Sequence, residues 1–434
     1  MQYESIYHFM KNSWLLLCFL LVFCAKKREI NTSKENRVTT TKGQTVLLQN
    51  VTIIDVINEK TIVDKTIEIK NGVIQKIHPN TYVGAATDSL IDLNGKFVIP
   101  GLTDSHTHIE HSGYGYPNSP RKNLVKLLEH ALYGGITNIR EMAGDARVVG
   151  ELSRSAQLNL IASPNIYYPS LFAGKAFFKD KRSEAMALGR VKGRTPWSQI
   201  IDSASIIPEL IAQAKGNGSV AIKMYALLDP PTVRKITDEA HRQGLGVWSH
   251  SDTQLSNTLD LVNNNVDVLS HAGYMIPGKN AVYPKDDKNL QKIFQKMIDK
   301  KIILDPTAYL FKIVDYRKNF LALNTKVSIE AYKKGVIIIA GTDTISAYKD
   351  VKTPFIHNEI EMYVTEIGMT TMDALKSATI NAAIALHIDK KEGSINIAKN
   401  ASLVVLNSNP IEDIKNTRDI HFVMKDGIIF QRNN

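Results

Sequence analysis

His106 and His108 stand one residue apart at the end of the run Val98-Ile99-Pro100-Gly101-Leu102-Thr103-Asp104-Ser105-His106-Thr107-His108. An apolar strand leads into Pro-Gly, continues as a short buried strand and ends in the two imidazoles. Alternate residues of a strand share a face. Both rings therefore point one way, the geometry that holds a single metal ion between them. A lone His-x-His is a weak signal, so the rest of the chain decides. Lys223 lies inside the apolar run Val220-Ala221-Ile222-Lys223-Met224-Tyr225. His250 ends Val247-Trp248-Ser249-His250, His271 follows Val268-Leu269-Ser270, and Asp343 follows Ile339-Ala340-Gly341-Thr342. Singly, His250 or His271 reads as an ordinary structural histidine. Six such groups at the ends of apolar runs read as a metal site.

The elements that must position them alternate along the middle of the chain. Strand candidates are Leu102–His108, Ile136–Met142, Asn165–Pro169, Val220–Tyr225, Gly246–His250, Val266–His271, Ile302–Pro306 and Val336–Thr342. Helix-like stretches such as Leu124–Tyr133, Pro231–Gln243 and Leu290–Lys300 lie between them. Eight strands separated by helices predict an α/β fold, a (β/α)8 TIM barrel over residues 99–385. The ligand candidates then fall on the carboxyl-end face, where barrel enzymes build their sites. The mixed, basic stretch Phe172–Ser198 follows strand three and reads as an extended active-site loop or lid.

The two ends have a different character. Residues 45–98 and 386–434 are rich in β-branched runs, with the hairpin signals Asn71-Gly72 and Asp426-Gly427. They predict one small β-sandwich built from both termini. Residues 25–44 are polar and read as a flexible tether. Ahead of it, Met10-Lys11-Asn12 and the apolar run Trp14 to Phe23 read as an export signal over 1–24, with Met1 or Met10 as the start. The run is short for a membrane-spanning helix. Cys18 and Cys24 are the only cysteines, so no disulfide is expected in the mature domain. Cys24 resembles the lipidated cysteine of a bacterial lipoprotein signal, although Phe23 stands where that pattern has a small residue. Two fates are open, attachment to a membrane through a lipid on Cys24 or simple cleavage. Both place the protein outside the cytoplasm, in the periplasm or on a membrane surface. The net charge is +10, but the lysines are scattered without a basic stripe interleaved with aromatics. Nucleic acid is therefore not an expected partner.

The combination resembles the amidohydrolase superfamily over almost the whole chain. The elements that carry the resemblance are Pro100-Gly101-Leu102 with His106-Thr107-His108, Lys223, His250, Ser270-His271-Ala272-Gly273 and Ala340-Gly341-Thr342-Asp343. The later runs Ala374 to Ala383 and Gly393-Ser394-Ile395 also match. The chain is most similar to the branch holding imidazolonepropionase-like proteins and binuclear Xaa-Pro dipeptidases. That resemblance implies two divalent metal ions, zinc first, with manganese, iron or nickel as alternatives. His106, His108 and Asp343 would hold one ion and His250 and His271 the other. Lys223 would take up carbon dioxide and bridge them as a carbamate. Ions about 3.5–4 Å apart would make water nucleophilic near neutral pH. Asp343 would accept a proton from that water and pass it to the departing nitrogen. The implied reaction is hydrolysis of a C–N bond in a dipeptide-like substrate or a cyclic amide.

Three further residues are candidates for substrate contact. Tyr225 shares a strand face with Lys223 and can hydrogen-bond a carbonyl. A tyrosine packed in the barrel is the competing reading. Arg140, at the end of Asn138-Ile139-Arg140-Glu141, can grip a carboxylate or pair with an acid of the protein. His357, in Pro354-Phe355-Ile356-His357-Asn358-Glu359, follows strand eight where substrate loops lie. A deaminase is less favoured, because His250 is followed by Ser251-Asp252-Thr253 without the Glu that such enzymes carry after this strand. From a different class, a surface-anchored binding protein on a dead barrel would be expected to lack a ligand, and none is missing.

Overall fold

The computed structural model describes residues 37–38, 43–85, 88–111, 121–184, 186–187, 189–278, 281–284, 287–314, 319–344 and 353–431. The leader expected over 1–24, with Cys24, and most of the tether lie outside them.

Apolar runs flanked by amphipathic helices form the ring of strands that their alternation predicts. Strand one is Leu102–Thr107, strand two Ile136–Glu141 and strand three Asn165–Tyr167, continued by Pro169–Ala173. Strand four is Ala221–Met224, strand five Gly246–His250, strand six Val268–Ser270 and strand seven Ile303–Asp305. Neighbours pair in parallel from one through seven. The eighth segment, 336–342, is extended but irregular. Ile338 bridges Leu304 in parallel, and the Ser105 N–H donates to the Ala340 carbonyl at 2.8 Å. It thus joins strand seven to strand one and closes the ring. Helices cover the outside for local reasons. The helix Pro230–Arg242 starts with Asp229 accepting from the Thr232 N–H and Pro230 in the first turn. Its buried residues Val233, Ile236, Thr237 and Ala240 recur at helical spacing and face the strands.

Strand three breaks at Tyr168. Its first half pairs with strand two, and its second half pairs with strand four and with Ser198–Ile200. The segment expected as a lid is therefore tied into the barrel rim. It has its own small core, in which Phe178, Met186 and Ile200 pack on Leu171 and Ala173. The Trp197 indole N–H donates to the Met186 carbonyl at 2.6 Å.

The two ends of the chain join in one nine-stranded sheet rather than in two separately bonded layers. The long strand Thr45–Asp55 explains the difference. Its register shifts between Leu48 and Val51, where Asn50 takes a left-handed conformation (φ 57°). On one side of this bulge it pairs with Ser89–Asp92 and on the other with Phe97–Pro100. A bulge re-aims a strand, so one strand serves both expected layers. Val46, Leu48 and Ile53 share a core with Leu403, Val405 and Met424 from the other terminus. Two residues of the expected tether, Arg37–Val38, are a strand paired with Ile429 and Phe430. They have regular pairing rather than a linker's freedom.

Candidate metal centre

His106 and His108 end strand one on one face, as alternation requires. Asp343 meets both: its Oδ1 lies 3.4 Å from His106 Nε2 and 3.1 Å from His108 Nε2. One donor atom from each of these residues falls within 4.8 Å of the others. Asp343 Oδ2 is 3.7 Å from His271 Nδ1. The His271 ring centroid lies 4.9 Å from that of His106 and 4.5 Å from that of His250. Strands one, five, six and eight thus bring five of the six expected ligands together. The sixth, Lys223, is 2% exposed in strand four, and its Nζ has no hydrogen-bond partner.

The electrostatics of His106, His271 and Asp343 fit metal ligation, whereas at His108 burial is outweighed by the hydrogen bond to Asp343, which raises the imidazole. Burial, reinforced by Lys223 and His108, drives His106 well below the ordinary histidine range despite Asp343. Burial and the neighbouring His250 and His106 do the same to His271. Neutral imidazoles are the ligand-competent form. Burial raises Asp343, but His106 and His108 overcome it and hold the carboxyl below its usual range. Burial, then the Arg140 guanidinium, lower Lys223 to about 7. A neutral amine suits a buried place where an ammonium would be orphaned. Imidazoles and a carboxylate form a donor set that suits divalent zinc, manganese, iron or nickel.

The backbone is strained at these strand ends. His271 (φ 69°), Thr307 (φ 51°) and Asp343 (φ 54°) are all left-handed. Each costs on the order of 1–3 kcal/mol, a kind of strain that clusters at functional sites.

Two acids that sequence reasoning missed hold this arrangement. Asp104 Oδ1 accepts from the Thr342 N–H at 3.0 Å and the His106 N–H at 3.2 Å, and its Oδ2 accepts from Thr342 Oγ1 at 2.7 Å. It pins the segment before Asp343 to strand one. Asp305, at the end of strand seven, faces His106 Nδ1 at 2.7 Å. The available signal was an acid inside or ending an apolar strand, which only a buried partner makes tolerable.

The substrate candidates divide. Tyr225 is half-buried beside the site, with its ring 5.3 Å from His250 and 4.7 Å from Phe177 of the rim segment. Arg140 does not reach a substrate. It is fully buried, its Nη2 donates to Asp305 at 2.7 Å, its Nε donates to the Ser105 carbonyl, and its guanidinium stacks 4.9 Å over Trp248. An acid of the protein has taken the place expected for a substrate carboxylate. Removing either charge would leave the other uncompensated, at about 3–5 kcal/mol. His357 is also corrected. It is fully buried, with Nδ1 2.9 Å from Thr417 Oγ1 and Nε2 2.8 Å from the Gly134 carbonyl. Both ring nitrogens are committed to the protein.

A parallel barrel with imidazole, carboxylate and lysine groups gathered at its strand ends is the frame of a metal-dependent hydrolase. The sequence model of the Amidohydrolase family matches residues 97–429, and the chain belongs to that family. The imidazolonepropionase of Picrophilus torridus is 24% identical over 380 residues, covering 82% of this chain and 89% of that protein. The ochratoxinase of Aspergillus niger is 23% identical over 380 residues, covering 77% and 75%. Among solved structures, a Xaa-Pro dipeptidase with bound methionine in its active site superposes with a TM-score of 0.73 at 21% identity. It covers 90% of this chain and 100% of that one. At that identity the likeness speaks for the fold. The protein is thus an amidohydrolase-family enzyme that acts on C–N bonds.

Proposed function

We propose that this chain is an exported, binuclear amidohydrolase that cleaves the amide of a small peptide-like substrate, a dipeptide first. The observation that carries the reading is the convergence of His106, His108 and Asp343 within 4.8 Å, beside a buried lysine amine that makes no hydrogen bond. His106, His108 and Asp343 would hold one ion, His250 and His271 the other, and Lys223, as a carbamate, both. Bound ions of this kind, zinc first, supply the Lewis acidity that lowers the pKa of water and polarises a carbonyl.

The chain's own residues supply the rest. Asp343 is held ionised by His106 and His108, with its second oxygen turned toward His271. It would accept a proton from the attacking water and deliver it to the departing nitrogen. Water adds to the carbonyl carbon, the C–N bond breaks, and a carboxylic acid and an amine leave. Tyr225, at the rim above His250, is placed to hydrogen-bond the substrate carbonyl. Phe177 of the rim segment packs against Tyr225 on the same side. The leader over 1–24 would carry the protein to the periplasm, where a lipid on Cys24 would hold it to a membrane.

The imidazolonepropionase relative supports cyclic-amide hydrolysis as the second reading. The deciding experiment is a screen of the protein, loaded with metal in the presence of bicarbonate, against dipeptides, N-acyl amino acids and cyclic amides. Turnover of dipeptides alone sustains the first reading and ring opening alone the second. Metal binding without turnover of any class would point to a binding protein.

A further inference from the structure

Strand seven contributes none of the six proposed ligands, yet its end touches both halves of the site. Asp305 Oδ2 lies 2.7 Å from His106 Nδ1. Thr307 Oγ1, two residues on, lies 2.7 Å from His271 Nδ1. The direction of each bond follows from counting hydrogens. Arg140 Nη2 and Ser270 Oγ donate to the same Asp305 oxygen, at 2.7 and 3.1 Å, so that oxygen is an acceptor. His106 Nδ1 must then carry a proton. The Thr307 hydroxyl has one hydrogen, and it goes to the Pro306 carbonyl at 2.7 Å. Its oxygen therefore accepts, and His271 Nδ1 carries a proton too. A neutral imidazole has one N–H, so Nε2 is the lone-pair atom in both rings.

We propose that Asp305-Pro306-Thr307 is a two-pronged positioning element that sets the tautomer of one histidine in each half of the metal site. The inference rests on the metal reading above. Thr307 is the telling residue, because a β-branched side chain rarely takes a left-handed backbone. Two contacts hold it there. Glu359 accepts from the Ala308 and Tyr309 N–H groups at 2.8 and 2.6 Å, and Asn324 Nδ2 donates to the Pro306 carbonyl at 2.9 Å. Glycine would fit that backbone more easily but has no hydroxyl.

The test compares wild type with Thr307→Gly, which suits the left-handed backbone, and Thr307→Ser, which keeps the hydroxyl. The readouts are the ring ¹⁵N–¹H correlations of the histidines in the metal-free protein and the affinity for zinc by chelator competition. In wild type, His106 and His271 should show the Nδ1–H form. In Thr307→Gly, His271 should become a tautomer mixture and one of two zinc affinities should fall about 10–100-fold, the usual scale for a group that orients a ligand. Thr307→Ser should restore both. An Nε2–H signature for His271 in wild type would overturn the proposal. So would a glycine variant with the wild-type spectrum and both affinities intact. If wild type bound no zinc, the metal reading would fail, and the ring spectra would still decide the tautomer.

Discussion

His271 and His357 are both buried histidines, each reached soon after a barrel strand, and the fold uses them in opposite ways. His357 bonds through both nitrogens, to Thr417 and to the Gly134 carbonyl, and so ties the segment after strand eight to the loop before strand two. His271 commits Nδ1 to Thr307 and sits on a left-handed backbone. The contrast extends to the two ends of the barrel. At the carboxyl end, buried ionisable groups crowd together. At the amino end, polar groups are paired conventionally: Lys425 Nζ donates to the Ala156 carbonyl at 3.1 Å, and His241 meets Asp267 at 3.0 Å. One end serves chemistry and the other stability.

The largest effect should come from Lys223→Ala. Turnover should fall to background and one metal ion should be lost, because Lys223 is the group proposed to hold both ions. Short carboxylic acids should restore part of the rate. In the metal-free protein the thermal midpoint should hold or rise, since there an orphaned buried amine is removed. A fully active alanine variant would move Lys223 to the stability side of the comparison.

Asp343→Asn should keep the fold and lower kcat by about 10²–10⁴, the scale of general acid–base catalysis. Unaltered turnover would show that the proton leaves by another route.

His357→Ala should do the reverse. Two buried hydrogen bonds are lost, so stability should drop by on the order of 2–3 kcal/mol in urea unfolding. Turnover and KM of the folded fraction should stay as in wild type. A large loss of kcat without loss of stability would erase the distinction drawn above.

The smallest effect concerns His241, which is raised above its usual 6.5 by its hydrogen bond to Asp267. A raised histidine adds stability that is present in full below about 6.5 and lost as pH rises through the folded value. The pair is partly exposed, so the increment should be at most about 0.5 kcal/mol. His241→Gln should remove it, which urea unfolding at about pH 5.5 and 8.5 would detect.

The barrel, the sheet from both termini and the gathering of five of the six ligand candidates were legible because each has a local signature. The signatures are alternation of apolar runs and helices, Asn-Gly and Asp-Gly turns, a His-x-His, and a lysine inside an apolar strand. Thr307 was not legible, and the acid ending an apolar strand was the only signal for Asp305, since Asp-Pro-Thr after an apolar run reads equally well as a plain turn. His357 was misplaced, and Arg140 left between two readings, for a related reason. A sequence puts a residue at a strand end or just beyond it but does not say whether the protein already satisfies its polar atoms. Arg140 has Asp305, 165 residues away, and His357 has Gly134, 223 residues away. That the expected layers form one continuous nine-stranded sheet was not legible, because it hinges on one left-handed asparagine within Thr45–Asp55.

Metal content tests the central claim most directly. Elemental analysis of the protein, purified after growth with ample zinc and bicarbonate, should give two ions per chain. At most one tightly bound ion under those conditions would contradict a site in which His106, His108 and Asp343 hold one metal, His250 and His271 a second, and Lys223 both.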